Sequence, residues 1–160
     1  MRRKDREVTD IQEILHIVDE AKILHLGLMD GGYPYIVPMH YGYEFADGTF
    51  VFYLHSAKEG HKLNLIQKDA HVCVELETNV ELVSGGEVPC MYGAAFASVI
   101  GKGTAEFVEE EQEKIKALEL FMKNQTGRAF EITGKMAESV AVIRVVVREF
   151  TAKRRAVPAK

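Results

Sequence analysis

Two short turn sequences divide the first third of the chain into apolar segments that must fold back on each other. Asp30-Gly31-Gly32 separates two apolar stretches, and Ala46-Asp47-Gly48-Thr49 separates the second stretch from a third. Both turns carry the residue types that adopt positive φ in tight hairpins. The sequence therefore predicts antiparallel strands over residues 23–29, 33–45 and 50–55 rather than a bundle of helices.

Helix and strand patterns alternate along the rest of the chain. The capping box Thr9-Asp10-Ile11-Gln12 starts an amphipathic helix over residues 9–20, and Glu109-Glu110-Glu111 starts another helix. The remaining segments are predicted as a short helix over 60–67, strands over 71–77, 92–108 and 139–150, and irregular chain over 78–90 and 126–137.

Prolines and the order of the strands indicate the architecture. Pro34 and Pro38 interrupt the second strand, and a proline cannot donate to a sheet ladder, so this strand lies at an edge or carries a bulge. Several hairpin-connected strands with few helices are typical of an antiparallel β-barrel with peripheral helices. We therefore expect one α+β domain over residues 1–160, with flexible ends at 1–8 and 152–160.

The composition limits the classes of partner. A net charge of -4 and a pI near 5.9 argue against nucleic acid, whose binding domains are usually basic. No apolar run approaches the roughly 20 residues that span a bilayer. Cys73 and Cys90 lie far apart and form neither a C-x-x-C pair nor a disulfide framework. We expect a cytoplasmic protein that binds neither nucleic acid nor a membrane.

The segment from residue 52 to residue 63 begins as an apolar strand and becomes a cluster of anion donors within two residues. It contains four potential donors to an anion: Ser56, Lys58, His61 and Lys62. A hydroxyl and ammonium groups beside the start of a helix are the elements of a phosphate site. A solvated turn that carries two lysines is the alternative interpretation.

Two further segments have features of a ligand surface. Pro38-Met39-His40-Tyr41 is an aromatic strand whose proline breaks the ladder, and residues 95–101 form a strand of small side chains. Small residues in a strand allow another backbone, a subunit or a flat ligand to approach closely, although plain packing is the commoner reason for them. Together with the anion donors, these segments would suit a planar phosphorylated cofactor.

Other catalytic patterns are missing from the sequence. The six histidines show neither H-x-x-x-H nor H-E-x-x-H spacing, so we expect no metal site. No G-x-S-x-G elbow of a serine hydrolase is present. Gly101-Lys102-Gly103 lacks the third glycine and the following helix of a dinucleotide fingerprint.

The chain resembles the FMN-binding split-barrel superfamily of the pyridoxamine 5′-phosphate oxidases, and most closely its nitroimidazole-resistance branch. The likeness covers nearly the whole length, and its motifs occur in the family's order. The matching segments are residues 1–7, Pro34 to Met39, His55-Ser56-Ala57-Lys58-Glu59-Gly60-His61-Lys62, Ser98 to Gly103 and the acidic helix that follows.

The resemblance implies a homodimeric, six-stranded split β-barrel with two FMN molecules at the dimer interface. Its cofactor-binding residues, carried over by position, fall into three groups. Ser56, Lys58 and Lys62, within the block that also holds His55 and Ala57, would contact the phosphate and ribityl chain. Val37, Pro38, Met39 and His40 would pass the edge of the flavin ring, and Ser98 and Val99 would approach it from the partner subunit.

The sequence also departs from the family pattern. Pyridoxamine phosphate oxidases end in Arg-Leu-x-Pro, whereas this chain has Arg155-Ala156-Val157-Pro158 near its end, so we assign no substrate binding to the tail. The loop over residues 79–90 has no aromatic side chain to cover a flavin.

The resemblance favours an FMN-dependent oxidoreductase. It would pass electrons from NADH or NADPH to a small flat acceptor, such as a nitroimidazole or a quinone. His40 and His71 are the candidate proton donors by residue type, and a histidine hydrogen-bonded within a strand is the alternative for each. A non-catalytic carrier or sensor of flavin or haem, and a small domain without a ligand, are the other interpretations.

Overall fold

The computed structural model describes residues 2–157. Its helices and strands follow one another along the chain as β1 (Glu7–Val8), α1 (Ile11–Glu20), β2 (Leu24–Asp30), β3 (Tyr33–Met39), β4 (Gly42–Ala46), β5 (Thr49–Ser56), α2 (His61–Lys68), β6 (His71–Val83), β7 (Gly93–Phe107), α3 (Glu111–Thr126), α4 (Gly134–Glu138) and β8 (Ala141–Arg155). Short 3-10 turns at Lys4–Arg6 and Pro89–Met91 complete the described elements.

The strands form one antiparallel sheet in the order β3-β2-β6-β7-β8-β5-β4, and β1 pairs with β8. The predicted α+β class and antiparallel sheet are confirmed. The strand number of six is wrong, because β1 adds a strand and the predicted strand over 33–45 breaks into β3 and β4. The sheet is not closed, as expected of a split barrel.

The split lies where the chain passes from β3 to β4. These strands are the two ends of the sheet, yet only His40 and Tyr41 connect them, so the sheet must curl until its ends approach each other. Tyr41 is fully buried there, and its hydroxyl donates to the carbonyls of Val18 and Ala21, each at 2.7 Å. The break in the predicted strand thus anchors α1 to the barrel and places His40 at the split.

The sheet has an inner and an outer face. Alternate residues of each strand point into the barrel, where the core includes Leu26, Phe52, Val74, Val99 and Val145. Strand β3 pairs with β2 on one side only and therefore lies at the edge of the sheet. This confirms the edge position predicted from its prolines. The predicted hairpin turns are also confirmed, since positive φ occurs at Gly31, Gly32, Asp47 and Gly48.

Several predicted boundaries differ from those in the structure. Asp10, not Thr9, caps α1, with its carboxylate accepting from the backbone N–H of Gln12 at 3.0 Å. The region predicted as irregular over 78–90 continues β6 to Val83 after a bulge at which Asn79 adopts a φ of 55°. The second irregular region, over 126–137, overlaps the short helix α4.

Parts of both ends expected to be flexible are paired in the sheet. Glu7 and Val8 pair with Lys153 and Ala152, and β8 continues to Arg155 opposite Phe96. Ala152 and Lys153 of β8 thus pair with β1 on one side and with β7 on the other. Residues 1 and 158–160, also placed in the flexible ends, lie outside the described residues.

Candidate functional site

The N-terminus of α2 has the features of a candidate anion site. β5 ends at Ser56, and the chain reaches α2 through Gly60, whose φ of 152° suits glycine better than other residues. No side chain caps this helix, whereas Asp10 caps α1 and Glu110 caps α3. Uncapped backbone N–H groups at a helix start carry partial positive charge. They are therefore available to an anion.

The charges around this helix start strengthen the same conclusion. The first turn of α2 has no acidic residue; it contains Lys62, and Lys58 lies just before it. Within residues 2–157, neither lysine forms an ion pair, and Glu59 is exposed beside them. Cations close to the positive N-terminus of a helix are unfavourable unless a bound anion offsets their charge.

The other donors of the segment already have partners. The Nε2 atom of His61 lies 2.6 Å from a carboxylate oxygen of Asp30, which ties α2 to the β2–β3 turn. The ring of Tyr35 packs edge-on against the same imidazole, with centroids 5.2 Å apart. The Ser56 hydroxyl donates to the carbonyl of Ala57 at 2.8 Å, so it must rotate before it can donate to a ligand.

A histidine cluster lies next to this anion site. The rings of His40 and His55 both meet Phe121 of α3 edge-on, with centroids 6.5 Å and 4.5 Å away. Burial lowers the pKa of His55, and the positive charges of His40 and Lys62 lower it further. His40 and Lys62 therefore lie close enough to His55 to affect its charge.

An open cleft of about 750 Å³ runs beside α2 from this site. Lys58 and Gly60 line one part of it, and Asn64 and Gln67 of α2 line another. Lys114 of α3 and residues 140–142, where β8 begins, also line it. The volume is in the range of small-molecule and cofactor sites.

The predicted residues of β3 differ in what they can offer a ligand. Met39 is buried in the core and Val37 is half-buried, so their side chains mainly pack inward. Pro38 and His40 are exposed. A ligand at the split would therefore meet Pro38, His40 and the free backbone edge of β3.

The remaining predicted residues lie elsewhere in the chain's own sheet. His71 starts β6, is largely exposed and lies 2.7 Å from a carboxylate oxygen of Asp69. Ser98 and Val99 lie on β7, which β8 separates from β5. Val99 is 2% exposed and faces the core, so only its backbone could meet a ligand. The chain thus gathers residues 38–40 with 55–62 but not these three.

Sequence reasoning missed the part that α3 plays. Phe121 lies in the helix predicted after Glu111, but the sequence does not show that its ring contacts two histidines. The available signal was Gly42, where a Cβ atom would lie 2.3 Å from the backbone nitrogen of Phe121. A buried glycine in a strand indicates that another backbone approaches closely, but it does not identify that backbone.

The family comparison agrees with the geometry. The family model described as pyridoxamine 5′-phosphate oxidase matches residues 10–154. The chain belongs to this family. Among curated proteins, no match is found.

Solved structures of relatives show the same fold as this family member. One, described as a candidate 5-nitroimidazole antibiotic resistance protein from Bacteroides thetaiotaomicron, is 33% identical, with a TM-score of 0.77 over 92% of this chain and 85% of that chain. The flavocytochrome Anf3 from Azotobacter vinelandii is 22% identical, with a TM-score of 0.78 over 99% of this chain and 73% of that one. The FAD and haem binding protein from Mycobacterium smegmatis is 15% identical, with a TM-score of 0.77 over 97% and 76%. The last two likenesses show the fold alone.

Two features are absent from the part of the chain that the structure describes. Within residues 2–157 no helix has the length and apolar character needed to cross a bilayer. In the same range, no three potential side-chain ligands gather as they would around a metal ion.

The lowered pKa of His55 predicts a pH dependence of stability. The unfolded state, with an ordinary pKa of 6.5, takes up the proton at a higher pH than the folded state does. The contribution of His55 to the free energy of unfolding is therefore fully present above about pH 6.5. It is lost as the pH falls below this value. We expect His55→Leu to lose less thermal stability than the wild type between about pH 7.5 and 5. Equal losses in melting scans of the two proteins would contradict this expectation.

Proposed function

We propose that this family member binds FMN, with the phosphate at the N-terminus of α2. The observation that carries the proposal is the uncapped start of α2, flanked by Lys58 and Lys62, which have no ion-pair partner within residues 2–157. Free amides and unpaired ammonium groups are the donor set that a phosphate monoester needs. The residues present therefore fit this cofactor.

The neighbouring residues would orient the rest of the cofactor. Pro38 and His40 at the edge of β3 lie where the family pattern passes the flavin ring, and His55 lies between that edge and the lysines. Phe121 limits the space on the side of α3. When bound, a flavin supplies the capacity to accept and to give up electrons. The protein binds it, orients it and surrounds it with positive charge.

We further propose that the protein is an oxidoreductase. The electron donor is NADH or NADPH, and the acceptor is a small flat molecule such as a nitroimidazole or a quinone. Support comes from the 33% identical relative, which is described for 5-nitroimidazole resistance. The positive charge of Lys58 and Lys62 favours anionic groups at this site.

An absorption spectrum of the purified protein tests the proposal. We expect flavin bands, or their appearance when FMN is added and excess is removed. Bleaching by NADH or NADPH without oxygen, and recovery with a nitroimidazole or a quinone, would identify the enzyme. A flavin that stays oxidised would indicate a carrier, and a Soret band would indicate haem. A colourless protein that takes up no FMN would overturn the proposal.

We also propose that the protein is a homodimer whose subunits meet at the outer face of β2, β3 and β6. This face has an apolar hollow of about 470 Å³, lined in part by Met29, Pro34 and Ile36. Met29 is 51% exposed and Ile36 63% exposed. Exposed apolar residues clustered on one sheet face are typical of a protein interface. Ser98 lies two residues before the exposed Ile100 on the same strand, so its side chain points to the same outer face. There it could approach a second subunit.

A single charge on this face should separate the subunits. We expect Ile36→Glu to shift the protein from dimer to monomer, because the carboxylate would lose its water inside the interface. Sedimentation velocity at matched concentrations measures the change. Met136→Glu, at an exposed apolar residue on α4, is the control and should leave the dimer intact. A wild-type protein that sediments as a monomer would contradict the dimer.

A further inference from the structure

Two histidine rings meet the same phenylalanine from different elements. His40 comes from the link between β3 and β4, His55 from the end of β5, and both rings are edge-on to Phe121. The structure surrounds their ring nitrogens differently. This difference determines where each ring carries its proton.

The Nδ1 atom of His55 is buried and has no hydrogen-bond partner; it is the one such side-chain atom within residues 2–157. Its Nε2 atom makes no hydrogen bond to the described residues either, but it is not buried in this way, so a ligand or water can reach it. A buried N–H without an acceptor costs free energy, and a buried cationic donor costs much more. The proton of His55 therefore belongs on Nε2.

The Nδ1 atom of His40 has the opposite environment. It lies 2.9 Å from the backbone carbonyl of Lys22, which can only accept a hydrogen bond. Nδ1 of His40 therefore carries a proton, and the neutral ring has a lone pair on Nε2. The His40 side chain is exposed, so solvent or a ligand can reach that nitrogen.

The groups that face His55 also disfavour a second proton on it. His40 and Lys62 contribute positive charge, α3 contributes the ring of Phe121, and Val142 is its cross-strand neighbour on β8. The ladder from β4 ends at Tyr53, before it reaches His55. No carboxylate is among the groups that act on this imidazole in the described chain.

We infer that the two imidazoles are held in opposite tautomers, with the proton of neutral His55 on Nε2 and that of neutral His40 on Nδ1, so that at Nε2 His55 offers a donor and His40 an acceptor. The tautomers follow from this chain's own contacts, and only the identity of the ligand rests on the proposed function. His55 then contacts an acceptor oxygen of the cofactor, such as a phosphate, ribityl or carbonyl oxygen. His40 offers the lone pair of its Nε2 atom to a donor group of the ligand or to water.

Long-range ¹H–¹⁵N spectra of the ligand-free protein test the assignment directly. Signals are identified by their loss in His40→Gln and His55→Gln. At about pH 8, where ordinary histidines are neutral, we expect His55 to carry its proton on Nε2. At the same pH we expect His40 to carry its proton on Nδ1. A proton on Nδ1 of His55, or on Nε2 of neutral His40, would overturn the inference.

Two sets of variants test the causes. Phe121→Leu uncovers Nδ1, so His55 should take up its second proton at a higher pH than in the wild type; if this variant does not fold, the wild-type spectra still decide.

His55→Gln keeps an N–H donor and should bind FMN about as well as the wild type, whereas His55→Leu should bind about fivefold more weakly. Equal weakening in both would overturn the donor role of His55. If the wild type takes up no FMN, the proposed function fails while the spectra still decide the tautomers.

Discussion

Replacing Lys62 by alanine is expected to weaken FMN binding by about 1.5–3 kcal/mol, which is roughly 10- to 150-fold in Kd. Lys62 is half-buried in the first turn of α2 and has no ion-pair partner within residues 2–157. The ammonium group of Lys62 therefore adds its positive charge to that of the helix N-terminus. Lys58 is exposed, so we expect Lys58→Ala to fall at the lower end of this range.

Lys68 offers a matched control on the same helix. It is an exposed lysine in the last turn of α2, at the end where the helix dipole favours a cation and not an anion. Lys68→Ala changes the net charge by the same amount and should leave the affinity for FMN within about twofold. Fluorescence titration of FMN into the three variants measures the effect. Wild-type affinity in both Lys62→Ala and Lys58→Ala would place the phosphate at another site.

Replacing Gly42 by alanine is expected to lower the free energy of unfolding by about 3 kcal/mol or more. The Cβ atom would lie 2.3 Å from the backbone nitrogen of Phe121 and 2.5 Å from the carbonyl carbon of Leu120. Backbone atoms inside a helix cannot rotate away as a side chain can. The methyl group must therefore push α3 away from β4 or distort the strand.

The same displacement should weaken FMN binding, because it moves Phe121 away from His40 and His55. Gly27→Ala is the control for stability, since its Cβ would meet atoms of Cys73 at no less than 3.4 Å, which is ordinary van der Waals contact. That change should be close to neutral. Denaturant unfolding curves compare the variants. A Gly42→Ala protein as stable as Gly27→Ala would mean that α3 can move without cost.

Local patterns predicted most of the secondary structure because each depends on neighbours in the chain. The turns at Asp30 to Gly32 and Asp47-Gly48 specify hairpins through their own φ angles, and Gly60 introduces α2 in the same way. Boundaries were wrong where distant contacts prevail. β6 continues through residues predicted as loop because β7 pairs with it, and Arg154 belongs to β8, with a guanidinium nitrogen 2.8 Å from a carboxylate oxygen of Glu13.

The cluster of anion donors could be located from sequence because it is contiguous. Ser56, Lys58, His61 and Lys62 needed only one strand end and one helix start to come together. Sequence could not show that Asp30 pairs with His61, which leaves the two lysines as the free cations of this segment. That distinction depends on a turn some 30 positions earlier in the chain.

Short-range chemistry thus sets the strands, the hairpins and the place of the anion site, because turn residues, apolar alternation and helix starts act over a few positions. Long-range packing sets the rest. The curl of the sheet brings His40 at the β3–β4 split near His55 at the end of β5, and α3 inserts Phe121 between them. Burial of one Nδ1 atom and a carbonyl contact to the other then give two like residues different protonation chemistry. Burial depends on which surfaces meet in the folded chain, and no local pattern encodes it.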